Sequence, residues 1–331
     1  MKSDRVQISL PSVPQALLEF LSKYERYVIA GHKEPDGDCI GSCLAMANFL
    51  QRKKKETLLL NAGPFDKPEV KEYEGLFKKE LSPEFNTKKA GLLVLDCSGL
   101  DRVGDIEKQL EGFDTAIIDH HATNQTVSKS SLVMKTSPST TYLIQAIIEA
   151  VDGEVTPKDA EYLFFGLCTD TGFFRHLDER SANVFAQASR LISKGVNPKS
   201  VFAKMYGGKS FGSRILISRI LERLTPYYDG RLMVSYEELK DTQEFGLSGR
   251  DSDTLYQLIQ SIEGVQAIVV VRQESETHCS VGFRSLDSID VSVVAKSFGG
   301  GGHKQASGLY IEGKINELIP QFVKAFADQF S

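Results

Sequence analysis

Histidine and aspartate residues cluster in four short motifs of the N-terminal half of the chain. The motifs are HKEPDGD at 32–38, LLVLD at 92–96, IIDHH at 117–121 and LCTDTG at 167–172. Imidazole nitrogens and carboxylate oxygens are good ligands for divalent metal ions. If the motifs come together in the fold, their carboxylates repel one another unless cations balance them. Two divalent cations supply that charge, so the sequence predicts a binuclear metal site.

The elements around these motifs are those of a parallel sheet. The apolar run 27–32 ends in a histidine, and the runs before Asp96, Asp119 and Asp170 end in an aspartate. Ligands of an open α/β sheet gather at the carboxyl ends of its strands. The proline and glycine of the first motif are turn residues that can fold it back towards that edge. We therefore expect all four motifs at strand ends on one edge of one sheet.

Each motif taken alone has an ordinary structural explanation. An aspartate that closes a strand is often a turn former or a helix N-cap, and Asp36 and Asp38 precede a predicted helix. The prediction of a metal site therefore depends on the motifs occurring together.

Apolar periodicity separates strands from helices along the N-terminal part of the chain. Strands are predicted at 27–32, 56–61, 91–98 and 115–119, and helices at 38–51, 141–151 and 181–194. The run 161–168 fits either a helix or a strand. The alternation predicts an α/β fold with a mostly parallel sheet flanked by helices.

The pattern changes after Gly195. Asn197-Pro198 interrupts the chain, and a helical pattern at 211–224 is ended by Pro226. Beyond it, strands are predicted at 232–236, 267–273, 278–284 and 306–311, and helices at 253–262, 291–298 and 315–330. We therefore expect a metal-binding domain at 1–195, a helical connector at 196–226 and a smaller α+β domain at 227–331.

A run of four glycines ends in His303 and separates a predicted helix from a predicted strand. Glycine lets the backbone approach a ligand closely and point several N–H groups at an anion. Arg284-Ser285 follows another predicted strand, and the planar guanidinium suits a phosphate. The alternative interpretation of the glycines is a flexible turn.

Taken in order, HKEPDGD-x-x-GS, VLD, DHH, TDTG and GGGGHKQASG resemble the DHH family of phosphoesterases with a DHHA1 C-terminal domain. The chain is most similar to the nano-RNase (oligoribonuclease)/pAp-phosphatase type. This resemblance implies hydrolysis of short oligonucleotides (nanoRNA) to mononucleotides, and of 3′-phosphoadenosine 5′-phosphate to AMP. It also implies that water activated by two metal ions is the nucleophile. A c-di-AMP or pApA phosphodiesterase of the same family is the alternative function.

The resemblance also implies roles for individual residues. One Mn²⁺ would be held by His32, Asp36 and Asp96, and the other by Asp38, Asp96, His120 and Asp170. Mg²⁺ or Co²⁺ also suits this set of oxygen and nitrogen ligands. Asp119 would orient the neighbouring imidazoles without ligating, and His121 would face the scissile phosphate. The substrate-binding residues would be Arg284, Ser285, Gly301, Gly302 and His303.

Composition limits the partners that the protein is expected to have. Hydrophobic residues make up 41% and charged residues 25% of the 331-residue chain, as in soluble globular proteins. The formal net charge of −5 disfavours a surface that binds long nucleic acid, so we expect short oligonucleotides and nucleotide phosphates as substrates. No apolar run is long enough to span a bilayer.

The N-terminal sequence and the cysteines bear on the compartment of the protein. The N-terminus has no signal-peptide pattern, and the five cysteines are interpreted as buried thiols of a reducing cytoplasm. The oligomeric state stays open, with the apolar face of a connector helix as a candidate homodimer surface. A non-catalytic nucleotide-binding module is the remaining alternative, disfavoured because every ligand position holds a competent residue.

Overall fold

The computed structural model describes residues 10–121, 128–286 and 289–330. The chain divides into two compact units between Gly207 and Gly208. The segment 196–226, predicted from the sequence as a connector, therefore contributes one helix to each unit.

The first unit is built on a five-stranded parallel sheet in the order β2-β1-β3-β4-β5. Its strands are β1 (Arg26–Ala30), β2 (Glu56–Leu60), β3 (Ala90–Leu95), β4 (Thr115–Asp119) and β5 (Leu132–Val133). The central strand β3 is buried at every position, because helices and loops cover both faces of the sheet. This confirms the predicted α/β class with a parallel sheet.

The helices of the first unit carry parts of the first and fourth motifs, since Asp38 lies in the second helix and Asp170 ends the sixth. They are α1 (Gln15–Lys23), α2 (Gly37–Arg52), α3 (Pro68–Lys71), α4 (Glu107–Leu110), α5 (Thr140–Asp152), α6 (Pro157–Asp170), α7 (Ala182–Ser193) and α8 (Pro198–Tyr206). A capping box between Thr156 and Asp159, with Pro157 at the first helical position, starts α6. Asp170 therefore ends a helix, and the expectation that it closes a strand is wrong.

The second unit contains a six-stranded mixed sheet in the order β10-β11-β9-β8-β7-β6. Its strands are β6 (Thr225–Tyr227), β7 (Leu232–Glu237), β8 (Ala267–Gln273), β9 (His278–Ser285), β10 (Gly301–His303) and β11 (Ala306–Glu312). Its helices are α9 (Phe211–Glu222), α10 (Leu239–Phe245), α11 (Ser252–Gln260), α12 (Val291–Ser297) and α13 (Ile315–Ala325). Only β7 and β8 pair in parallel among the described strands of this sheet.

The glycine run differs from the predicted loop, because its end forms the edge strand β10. Gly300 lies so close to β11 that a Cβ atom there would be 2.5 Å from the carbonyl oxygen of Gly308. Gly302 has φ +142°, a conformation that side chains rarely adopt. The backbone geometry of this turn thus requires glycine for structural reasons.

Within residues 10–121, 128–286 and 289–330, no helix is both long enough and apolar enough to cross a bilayer.

Candidate metal centre and active site

Imidazole and carboxylate groups from the ends of several elements meet at the carboxyl edge of the first sheet. The metal-donor atoms form three sets, and within each set the atoms lie within 4.8 Å of one another. The sets are His32–Cys39–Asp96, Asp96–His120–His121 and Asp38–His120–Asp170. Asp96 directly follows β3, and His120 follows the last residue of β4. The expected convergence of the four motifs is therefore seen in the structure.

His32 presents one ring nitrogen to two carboxylates. Its Nε2 lies 3.5 Å from Asp96 Oδ2 and 3.7 Å from Asp36 Oδ1. Its Nδ1 lies 2.7 Å from the carbonyl oxygen of Lys33, which leaves Nε2 as the atom available to a cation. Burial opposes protonation of the ring, but the charge of Cys39 and the carboxylates of Asp36 and Asp96 outweigh it and raise the pKa of His32 to about 12.

Asp36 combines the two roles that the sequence left open. It is the N-cap of α2, and its Oδ1 accepts hydrogen bonds from the backbone N–H groups of Asp38 and Cys39, each at 3.1 Å. The same oxygen faces His32. Although burial opposes ionisation, the contact with His32 lowers the pKa of the Asp36 carboxyl.

His120 faces three carboxylates at once. Its Nε2 lies 3.0 Å from Asp170 Oδ2, 3.5 Å from Asp96 Oδ1 and 4.0 Å from Asp38 Oδ2. The nitrogen is buried, and no group in the described part of the chain is aligned to form a hydrogen bond with it. A buried polar atom without a partner, surrounded by oxygen donors, fits a bound cation.

Asp96 lies between the two groups of donors. One of its oxygens, Oδ2, faces His32 and the other, Oδ1, faces His120. Its backbone has φ +54°, a left-handed conformation that aspartate tolerates better than most residues. Such strained positions concentrate at functional sites, where surrounding contacts hold them.

The N-terminus of α5 holds the buried carboxylate of Asp38. Asp38 accepts hydrogen bonds from the backbone N–H groups of Thr140 at 2.6 Å and Thr141 at 2.9 Å, and from the Thr141 hydroxyl at 2.6 Å. The Thr140 hydroxyl donates to Asp96 Oδ1 at 3.0 Å. Sequence reasoning missed these two threonines, although Ser139-Thr140-Thr141 before an apolar run is a helix-start signal.

The carboxylates of the site raise one another's proton affinity. Burial, together with the charges of Asp170 and Asp96, raises the pKa of Asp38 well above its usual value. Burial and Asp96 also raise the pKa of Asp170. Burial opposes protonation of His120, but its contact with Asp170 raises its pKa to about 9. The site therefore attracts positive charge, which divalent cations can provide.

Asp119 and His121 form a pair beside this cluster. Asp119 is fully buried, and its Oδ1 lies 2.8 Å from His121 Nδ1. Burial opposes ionisation of Asp119, but the hydrogen bond with His121 outweighs it and lowers the pKa of Asp119. The ionised carboxylate thus places a proton of His121 on Nδ1, which makes Nε2 the nitrogen that carries no proton in the neutral ring.

Two of the expected substrate-binding residues share a row of the second sheet. His303 pairs with Ala306, and Ala306 pairs with Arg284 on the next strand. Residues opposite each other in a sheet point to the same face, so His303 and Arg284 project from one face, two strands apart. His303 is exposed, and the Arg284 guanidinium lies 4.6 Å from the ring centre of Tyr256.

Ser285 and the glycines have structural contacts of their own. The Ser285 hydroxyl is buried and donates to the carbonyl oxygens of Ile289 at 2.8 Å and Lys304 at 3.2 Å. It therefore connects β9 to the segments around α12 and β10. Gly301 has open space around its Cα, whereas a Cβ on Gly302 would be 2.5 Å from the carbonyl oxygen of Ala306.

Each of the two units contains a region that matches a protein-family model. Residues 26–167 match the model of the DHH family, N-terminal domain. Residues 229–331 match the model of the DHHA1 domain. The first match includes the candidate ligands His32, Asp36, Asp38, Asp96 and His120 but ends before Asp170, and the second includes strands β7 to β11 of the second sheet.

Relatives with assigned names are similar to most of the chain. The bifunctional oligoribonuclease and PAP phosphatase NrnA of Thermus thermophilus is 29% identical over 92% of this chain and 90% of its own length. The cyclic-di-AMP phosphodiesterase PdeA of Listeria monocytogenes is 26% identical over 90% of this chain. This chain spans only 47% of that protein.

A solved structure shows the same fold. The exopolyphosphatase-related protein from Bacteroides fragilis has a TM-score of 0.76 and 23% identity, and the match covers 95% of each chain. This similarity concerns the fold, whereas the two family-model matches show that the chain consists of a DHH-family N-terminal domain followed by a DHHA1 domain.

Proposed function

We propose that this protein is a divalent-metal-dependent phosphoesterase. Its substrates would be short oligonucleotides, hydrolysed to mononucleotides, and 3′-phosphoadenosine 5′-phosphate, hydrolysed to AMP. The observation that carries this proposal is the shared position of Asp96, whose two oxygens face His32 on one side and His120 on the other. A carboxylate in that position can join two cations that both contact one phosphate.

The donor set suggests which residues hold the cations. His32, Asp36 and Asp96 would hold one, and Asp38, Asp96, His120 and Asp170 the other. When bound, such cations lower the pKa of water and neutralise charge on phosphoryl oxygens. Mn²⁺ is the proposed ion, since oxygen and imidazole ligands suit it, and Mg²⁺ and Co²⁺ are its competitors.

The chain's own residues would orient the substrate and move its protons. Asp119 accepts from His121 Nδ1–H at 2.8 Å, so Nε2 can accept a proton at the scissile phosphoester and can donate it again once the ring is protonated. Thr140 and Thr141 keep the Asp38 and Asp96 carboxylates in place, so these ligands need not reorganise when a cation binds.

The second unit would hold a substrate phosphate. The Arg284 guanidinium can bind a phosphate with two parallel hydrogen bonds, and the exposed His303 projects from the same face of the sheet. Gly301 and Gly302 would bring backbone N–H groups close to the same phosphate. Ser285 would position this region through its hydrogen bonds to Ile289 and Lys304.

A second function is favoured by one specific similarity. The Listeria relative is named a cyclic-di-AMP phosphodiesterase, and its match covers 90% of this chain. The same donor groups and the same Asp119–His121 pair would serve that reaction. The linear dinucleotide pApA would then be the first product of c-di-AMP hydrolysis and a further candidate substrate.

A side-by-side hydrolysis assay tests the proposal. Purified protein with Mn²⁺ is given an RNA dinucleotide, a long single-stranded RNA, 3′-phosphoadenosine 5′-phosphate, pApA and c-di-AMP, each with an EDTA control. We expect EDTA-sensitive hydrolysis that favours the dinucleotide and 3′-phosphoadenosine 5′-phosphate over the long RNA. Faster hydrolysis of c-di-AMP or pApA would favour the second function. Equal rates on dinucleotide and long RNA would contradict the short-substrate proposal. Hydrolysis of none of the five would contradict both functions.

A further inference from the structure

Cys39 lies inside the candidate metal centre. Its Sγ, a nitrogen of His32 and an oxygen of Asp96 lie within 4.8 Å of one another. The residue is fully buried in the first turn of α2, directly after Asp38. A thiol, an imidazole and a carboxylate within this distance of one another form a donor set for a cation that accepts sulfur as well as nitrogen and oxygen.

The fold leaves space for this sulfur at the end of the first strand. A Cβ atom on Gly31 would be 2.2 Å from Cys39 Sγ, so any other residue at position 31 would displace the sulfur or the strand end. The backbone N–H of Cys39 donates to Asp36 Oδ1 at 3.1 Å, which fixes the start of the helix. Gly31 and the Asp36 cap thus both hold the thiol beside His32.

We propose that Cys39 is a thiolate ligand of the cation that His32 and Asp96 hold. This inference rests on the metal centre assigned under the proposed function and adds sulfur to its ligands. On binding, the S–H bond breaks, a metal–sulfur bond forms and the proton passes to solvent. Thiolate favours ions such as Zn²⁺ and Co²⁺ over Mg²⁺, so Cys39 sets the metal preference of this position.

Cys43 offers a matched control one helical turn further along α2. It is also fully buried, and its Sγ would be 3.5 Å from the same Cβ position on Gly31. Among the described residues, Cys43 belongs to no set of metal-donor atoms. The two thiols therefore share a helix, a face and a level of burial, and differ in that the Cys39 sulfur belongs to the donor set with His32 and Asp96.

The test is the absorption spectrum of the full-length protein with Co²⁺. Wild type is expected to show a sulfur-to-cobalt charge-transfer band in the near ultraviolet, together with the visible bands of bound Co²⁺. Cys39→Ser should lose the charge-transfer band and keep visible absorption from the remaining ligands. Cys43→Ser should keep both. Cys39→Ala, with circular dichroism of each variant, shows that the loss does not come from unfolding.

A calorimetric titration gives a second readout. Cys39→Ser should weaken Zn²⁺ binding about 10–100-fold, the typical loss of affinity when a residue that supports a metal site is replaced. Mg²⁺ binding should change much less. Equal loss of both affinities would contradict the proposed preference for sulfur-binding ions.

The outcomes separate this inference from the proposed function. A visible cobalt spectrum without a charge-transfer band in wild type, or with an unchanged band in Cys39→Ser, would overturn the thiolate ligand even if the enzyme is active. A band that depends on Cys39, in a protein that hydrolyses no phosphoester, would support the ligand and contradict the function. Absence of any cobalt binding would overturn the thiolate ligand and also the metal centre on which it depends.

Discussion

Asp119 Oδ1 lies 2.8 Å from His121 Nδ1, and the Asp119 side chain is fully buried. The carboxylate directs this imidazole, whereas His120, the neighbouring residue, turns its Nε2 towards Asp170, Asp96 and Asp38. The two adjacent histidines thus have different nearest partners, Asp119 for His121 and Asp170 for His120, although their ring nitrogens also lie 3.7 Å and 3.5 Å from Asp96 Oδ1. On this basis we propose that His120 binds the cations and that His121 transfers a proton.

Replacing Asp119 tests the proton-transfer pair. Asp119→Asn should lower kcat about 10²–10⁴-fold, the usual contribution of a positioned acid or base, because the neutral amide neither stabilises the protonated imidazole of His121 nor fixes its Nδ1–H tautomer as a carboxylate does. Mn²⁺ affinity should change little. Steady-state kinetics and calorimetry measure the two effects.

The control for this substitution is Asp114→Asn. Asp114 precedes the same strand and pairs with Lys23, so its loss should leave kcat unchanged. His121→Ala should lower kcat as much as Asp119→Asn does, and the double variant should be no slower than either. Additive losses would show that the two residues act separately.

Replacing Asp96 tests the shared carboxylate. Asp96→Ala should abolish hydrolysis, because the residue faces both His32 and His120. Saturating Mn²⁺ should raise the Tm of wild type, since a ligand at about 100 times its Kd adds about 2.7 kcal/mol of stability. The variant should lose this rise while remaining folded. The control is Asp105→Ala, which changes an exposed carboxylate and should behave as wild type. Near-normal turnover of Asp96→Ala would contradict the proposal of two cations.

Metal binding should depend on pH. Burial and neighbouring carboxylates raise the pKa of Asp38, and the contact with Asp170 raises that of His120 to about 9 despite burial. A cation must displace these protons, so apparent Mn²⁺ affinity should increase as pH rises towards 9 and decrease as pH falls. Calorimetry in two buffers of different ionisation enthalpy counts the released protons. Affinity independent of pH, with no proton release, would be the opposite result.

His303 tests the phosphate-binding face of the second unit. His303→Ala should raise KM more than it lowers kcat, because the residue would bind substrate without taking part in the chemistry. Its exposed position predicts a change in stability of only about 0.5 kcal/mol or less. His278→Ala is the matched control, since His278 pairs with Glu312 at the opposite end of the same sheet and stacks on Tyr310. An equal rise of KM in both variants would contradict the assignment.

The glycine run allows structural and binding roles to be separated. Gly302→Ala should destabilise the second unit by about 1–3 kcal/mol, through its strained conformation and its clash with Ala306. Gly301→Ala meets no atom within 4 Å, so its stability should be near wild type. If the Gly301 backbone contacts substrate, that variant should raise KM without lowering Tm. Thermal melting and kinetics of the two variants give both readouts, and an unchanged KM in Gly301→Ala would contradict the substrate contact.

The sequence by itself determined the α/β class and the convergence of the four motifs. Buried parallel strands are nearly all apolar, so a histidine or aspartate at the end of such a run marks the edge of the sheet. His32, Asp96 and Asp119 lie at that edge for this reason. The motif order also carried the family resemblance, which the domain matches confirm.

Only the tertiary structure decided which atoms meet. Thr140 and Thr141 are more than a hundred residues from Asp38, and hydrogen bonds over that separation leave no periodic signal. The capping box at Thr156 made α6 a helix, so Asp170 reaches the site from a helix end. The sulfur of Cys39 enters the site because Gly31 leaves room for it, a packing relation between two elements that no spacing along the chain expresses.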